Sequence, residues 1–197
     1  MTGPRGVLDR DEVVAGLKDL VDRLRDEGQP CTIQIVGGAA IALTVDQERP
    51  PTRDVDMIVT PPEAIRRIAA DVGFDRGWPE GWLDGAVSIF LPSQFGRGTE
   101  WVTIHQDGDV LIQVASPAML LAMKLMAVAR RPRRDADDVA TLLAVNEICT
   151  ADEADELFGE FFPGDEMTPK AYEVVEALLA QGVRHVRTPG TPVLGEA

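Results

Sequence analysis

Between residues 31 and 59 the chain reads CTIQIVGGAAIALTVDQERPPTRDVDMIV, and that order leaves few ways to fold. A short, partly β-branched run, CTIQIV, stops at Gly37 and Gly38, and small apolar residues follow at once. This predicts a strand over 31–36 that turns directly into a short buried helix. Such a turn leaves main-chain N–H groups pointing outward at the positive end of the helix, where they suit phosphate oxygens; glycine lets a ligand come close to the backbone. A second run over 54–59, DVDMIV, predicts another strand, halted by Pro61 and Pro62. Residues two apart on a strand share a face, so Asp54 and Asp56 project together while Val55 and Met57 turn to the core. Neighbouring carboxylates repel unless a cation or a proton lies between them. Mg²⁺ prefers carboxylate and phosphate oxygens, so the pair and the glycine turn together point to a magnesium-bound triphosphate. A plain tight turn and a solvated edge strand are the alternative readings.

Around this stretch the periodicity is mostly helical. Val13, Val14, Leu17, Leu20, Val21 and Leu24 recur at helical spacing over 9–27, with Gly28 as a stop. Pro62 opens a helix over about 62–72. Residues 73–100, rich in glycine, proline and tryptophan, show no clean period. Residues 101–114 read as a hairpin: WVTIHQ, the turn Asp107-Gly108-Asp109, then VLIQV. Ser116-Pro117 starts a helix that Arg131-Pro132 interrupts. Another follows at about 134–148. Thr150 with Glu153 forms a capping box for the next, and Thr168-Pro169 starts the last. The expectation is an α+β fold: a small mixed sheet with helices over the first 115 residues, then a helical segment.

With 197 residues and 45% hydrophobic content, the chain can bury an ordinary core. No apolar run reaches the roughly 20 residues needed to span a membrane, and the first residues lack a signal peptide's apolar stretch. Cys31 and Cys149 are expected as reduced core thiols of a cytoplasmic protein. The net charge of -14 argues against nonspecific binding of nucleic acid. It is unevenly spread, however. Residues 130–134, Arg-Arg-Pro-Arg-Arg, form a local basic patch that could bind a particular nucleic acid or remain a solvated surface.

The glycine pair followed by Thr52-Arg53-Asp54-Val55-Asp56 resembles the nucleotidyltransferase superfamily, with its polymerase-beta-like fold. The later stretch LLAMKLMAVARRPRRDADDVATLL is similar to AbiEii-type toxins of type IV toxin-antitoxin pairs, including the mycobacterial MenT toxins. The resemblance covers about residues 31–145. It makes the sheet region over 1–115 a nucleotidyltransferase core, followed by the helical segment over 116–187; the tail over 188–197, with two prolines and two glycines, is expected to be frayed.

By resemblance Gly37 and Gly38, with Thr52 and Arg53, bind the nucleotide, and Asp54 and Asp56 are catalytic and hold Mg²⁺. Many relatives have Gly-Ser, where this chain offers Gly38 and its backbone. A third carboxylate, often the general base, is expected on a neighbouring strand. The strand matched to it is VLIQV, where Gln113 cannot take a proton as a carboxylate does; Asp109 is a less suitable substitute. Lys124, set in an apolar helix, matches the family's active-site lysine and needs an anionic partner there. Arg134, Asp135 and Asp138 match a charged motif on the next helix, with Asp138 expected to hold the lysine. Arg130, Arg131, Arg133 and Arg134 would grip RNA phosphates.

The implied substrates are an NTP and the 3′ end of tRNA, and the implied partner is a cognate antitoxin that modifies Thr52. A phosphate there would compete with the incoming triphosphate. A protein or small-molecule acceptor, or a degenerate module that only binds, are the alternatives. His105 and His185 form no metal pattern.

Overall fold

The computed structural model describes residues 6–85, 91–92, 95–182 and 184–195, with the side chain of Ala64 left out. Among the described residues, seven helices and five strands run in the order α1 (Arg10–Asp26), β1 (Cys31–Ile35), α2 (Gly37–Thr44), β2 (Val55–Thr60), α3 (Pro62–Arg76), β3 (Leu83–Asp84), β4 (Trp101–Asp107), β5 (Val110–Ala115), α4 (Pro117–Val128), α5 (Pro132–Val145), α6 (Ala151–Phe161) and α7 (Pro169–Leu179). The fold is α+β, on one five-stranded mixed sheet ordered β3-β2-β1-β5-β4. β1 runs antiparallel to β2 and parallel to β5; β3 runs parallel to β2.

Helix ends follow local chemistry. Asp9 and Glu12 close a capping box at the start of α1, and Thr150 and Glu153 do so for α6. The hydroxyls of Ser116 and Thr168 cap α4 and α7, each just before a proline at the first position. The fifth helix starts at Pro132, two residues before the expected boundary, because a first-turn proline has no N–H to leave unpaired. Helix α3 runs on past residue 72 to Arg76, where Gly77 closes it in the left-handed conformation.

The sheet has two unlike faces. Ile33, Ile35, Val55, Met57, Ile112 and Val114 lie on the buried face. Gln34, Ile58, Leu111 and Gln113 point the other way and are half-buried. One hydrophobic core runs from Leu8 to Leu194 and takes in α4, whose Leu120, Leu121 and Leu125 are buried. The helical segment therefore packs into the same core as the sheet. Trp78 and Trp82 meet edge to face at 4.9 Å, and Trp82 Nε1 donates to the Ala69 carbonyl. Trp78 also fills the space over Gly16, where a Cβ would stand 2.5 Å from the ring. These tryptophans are structural.

Two expectations are corrected. Cys149 is exposed, in the loop between α5 and α6, because it stands just ahead of the Thr150 cap and its N–H is taken by Glu153; only Cys31 is a core thiol. Burial pushes the Cys31 thiol up to about 11. The tail after Arg187 is not frayed over its described part. The Arg187 carbonyl accepts from Gln47 N–H at 3.0 Å, Arg10 donates to the Gly190 carbonyl, and Leu194 is buried in the core.

Candidate active site

A cavity of about 240 Å³ opens where the start of α2, the loop before β2, the end of β3 and the facing sides of α4 and α5 converge. Gly37, Gly38, Thr52, Asp54, Asp56, Lys124, Arg134 and Asp135 all line it. Residues up to 98 positions apart in sequence (Gly37 to Asp135) thus share one wall-to-wall space.

The glycine turn is shaped by what presses on it. Gly37 sits at φ +66°, and a Cβ there would collide with Asp56 Oδ2. It is glycine for two reasons: the left-handed backbone and the carboxylate packed against it. The second glycine faces a different group, since a Cβ on Gly38 would collide with the Arg49 guanidinium. No side chain caps α2, whose cap residue is Val36. Its first N–H groups are the kind of donors that anions satisfy.

The carboxylates on β2 are poorly compensated. Asp54 Oδ1 is buried and meets no hydrogen-bond donor among the described residues. Asp56 is pushed up to about 6, first by burial and then by the charges of Asp54 and Asp84, against an opposing pull from Lys124 and Arg134. A cation between these side chains would relieve both conditions, so the donor set fits a hard divalent ion. Among the described residues no cluster of three or more His, Cys, Asp or Glu is arranged to hold a metal alone. An ion held by Asp54 and Asp56 would complete its shell with ligand oxygens.

A further carboxylate beside the Asp54–Asp56 pair comes from a strand the sequence did not disclose. The strands beside β2 are β1 and β3; β5 lies beyond β1. Gln113 accepts from Gln34 Nε2 at 3.0 Å and donates to Thr103 at 3.4 Å, a polar ladder across the half-buried sheet face, and it does not line the cavity. Asp84, paired in register with Asp56, does. The carboxylate that the fold sets beside the pair is therefore Asp84, on β3, while Gln113, on β5, does not reach the cavity. β3 is only two residues long, so no alternation could mark it, and it lies in the segment without a clean period.

On the opposite wall the charges are matched. Lys124 Nζ lies 2.7 Å from Asp135 and 2.8 Å from Asp138, and both carboxylates are almost fully buried. Arg49 donates to Asp138 twice, at 2.8 and 3.1 Å. Burial alone would raise Asp138, but the bond from Arg49 and the charges of Lys124 and Arg49 hold it below the usual carboxylate range. Asp135 and Asp138 share a face of α5 because they are three apart, and both reach Lys124. Asp138 is thus placed to hold the lysine, and Asp135 does the same.

Other residues stand apart. Arg53 is exposed and lies outside the cavity, although Thr52 and Asp54 on either side of it line the wall. The Thr52 side chain is buried and donates to the Asp54 carbonyl at 3.0 Å, which fixes the loop just ahead of β2. Arg130 and Arg133 are exposed and away from the cavity, whereas Arg131 and Arg134 edge it. Sequence reasoning missed Arg49 as well as Asp84. Arg49 sits in an irregular loop ahead of Pro50-Pro51, where no period or motif points to it.

A family profile described as nucleotidyl transferase AbiEii toxin, type IV TA system, matches residues 85–187. The chain belongs to this family. The matched span holds Lys124, the arginines, Asp135 and Asp138, while the glycine turn and the Asp54–Asp56 pair precede it. No curated protein matches the chain. A solved structure, an antigenic nucleotidyltransferase-like protein from Paracoccidioides brasiliensis, is similar over 89% of this chain and 91% of its own, at 14% identity and a TM-score of 0.39, too remote to bear on function. No helix among the described residues is long and apolar enough to cross a membrane.

Proposed function

We propose that this AbiEii-family chain transfers a nucleoside monophosphate from an NTP to the 3′ end of tRNA, blocking aminoacylation and so translation. The observation that carries the reading is the convergence in one cavity of an uncapped glycine turn, an uncompensated carboxylate pair and a lysine from the helical segment. Asp54 and Asp56 would hold Mg²⁺, which when bound neutralises phosphate charge and polarises the reacting phosphate. The turn at Gly37 and Gly38 offers main-chain N–H groups to the triphosphate, with Thr52 and Asp54 fixing the loop beside it. Lys124, held by Asp135 and Asp138, sets a positive charge in the cavity that favours the charge gathering on the departing pyrophosphate. The 3′-hydroxyl oxygen attacks the α-phosphorus, the bond to the bridging oxygen breaks, pyrophosphate leaves and the hydroxyl proton passes to solvent. Arg131 and Arg134 at the rim, with Arg130 outside it, would meet the RNA backbone.

A type IV family implies an antitoxin partner. Phosphate on Thr52 would break its bond to the Asp54 carbonyl and add negative charge beside an acidic pair, opposing triphosphate entry. That is the inhibitory modification we propose for the partner. The test of the reaction is incubation of the purified protein with each labelled NTP, Mg²⁺ and total tRNA. Label at the tRNA 3′ end is the expected result. Label on protein or on a small molecule would move the acceptor, and no label with any NTP would overturn the reaction.

A further inference from the structure

Arg49 has no role in the reaction described above, yet it is built into the cavity with care. It lies in the loop between α2 and β2, and its side chain is 15% exposed. Nε and Nη2 donate to the two oxygens of Asp138, and Nη1 donates to the Pro50 carbonyl at 2.8 Å. A guanidinium has five N–H donors, so two remain, one on each terminal nitrogen. Nη2 also packs so closely on Gly38 that no Cβ fits between them. The guanidinium is thereby fixed beside the first turn of α2, with Asp56 packed on the preceding residue, Gly37.

The local charge count points the same way. Asp138 is shared by Arg49 and Lys124, and Asp135 by Lys124 and, at 3.5 Å, Arg131. On this wall three cations face two carboxylates, and the other carboxylates of the cavity, Asp54, Asp56 and Asp84, come from the β2–β3 side. A planar fork with spare donors, fixed by a carboxylate behind it, suits phosphate oxygens.

We infer that Arg49 is a binding residue for the outer phosphates of the nucleotide, held in place by Asp138 so that its two spare N–H groups meet phosphate oxygens next to the glycine turn. This rests on the nucleotidyl-transfer reading, and it adds a specificity. Arg49 distinguishes a triphosphate from a monophosphate, whereas a residue that only staples the loop would affect both alike.

The test is calorimetric titration of the full chain with NTP, and with the matching NMP, in the presence of Mg²⁺. Arg49→Ala is expected to weaken NTP binding by about 10- to 100-fold, the usual range for a hydrogen bond to a charged group, and to leave NMP binding unchanged. Arg49→Lys, which keeps the charge and loses the fork, is expected to lose only severalfold for NTP. Equal weakening of NTP and NMP, or none, would overturn the inference and leave Arg49 as a loop staple. If Arg49→Ala does not fold, as judged by its melting curve, Arg49→Lys decides by the same NTP-against-NMP comparison. If the parent chain binds no NTP, the reaction itself fails, a result that is separate from any effect of Arg49.

Discussion

Two aspartate pairs face each other across the cavity, and they differ in almost everything but their chemistry. Asp135 and Asp138 are the more deeply buried, yet Lys124, Arg49 and Arg131 supply their cations. Asp54 and Asp56 are less buried but have no cation within ion-pair distance among the described residues, and the Asp56 carboxyl is raised to about 6; an oxygen without a hydrogen-bond donor occurs in each pair, Asp54 Oδ1 and Asp135 Oδ2. Burial is thus not what makes a carboxylate costly; burial without a partner is. The compensated pair belongs to the scaffold that sets the lysine. The other pair lacks a counter-charge of its own and is the half of the site that calls for one from outside.

Neutralising each pair should therefore do opposite things. Asp54→Asn or Asp56→Asn is expected to lower nucleotidyl transfer by about 1,000-fold or more while leaving the fold intact, as seen by activity and circular dichroism. Asp135→Ala removes one of the two carboxylates that hold Lys124, leaving Asp138 at 2.8 Å, and should cost about 1–3 kcal/mol in denaturant unfolding. If Asp56→Asn unfolds the protein and Asp135→Ala does not, the contrast between the pairs is wrong.

Titration gives a finer test. The folded state raises Asp56 above its unfolded value near 4, so folding takes up a proton between about pH 4 and 6, and the stability due to this group falls as pH rises through that window. Asp138 is held low, so its contribution is present above about pH 4 and is lost as pH falls further. Asp56→Asn should remove the loss between pH 4 and 6 and, at pH 7, raise the melting temperature by about 2–4 °C, corresponding to about 1 kcal/mol. A lower melting temperature at pH 7 would mean that the ionised carboxylate is already satisfied. The smallest effect is expected at the rim. Arg134→Ala should reduce the slope of log tRNA affinity against log salt by about 1, and Arg53→Ala, outside the cavity, should not change it.

Much of this was legible before any coordinates. The strand-glycine-helix order, the shared face of Asp54 and Asp56, the Lys124 helix and the helix-starting residues Ser116, Thr150 and Thr168 are local patterns, and the structure keeps each of them. Asp84 escaped because a two-residue strand has no period to read, and its strand pairs with β2 only through the fold. Gln113 misled because β5 is paired with β1, and the sheet order cannot be read from strand patterns alone. Arg49 was invisible because its meaning lies entirely in a carboxylate 89 residues away.

By itself the sequence determined which residues carry charge, which segments repeat at helical or strand spacing, and where the backbone needs glycine or a cap, because these depend on neighbours within a few positions. Which carboxylates are neutralised and which are left bare was decided only by tertiary structure. Coulomb attraction and desolvation depend on distance and burial in space, and the chain brings Lys124 and Arg49 to one aspartate pair and not to the other only when it is folded.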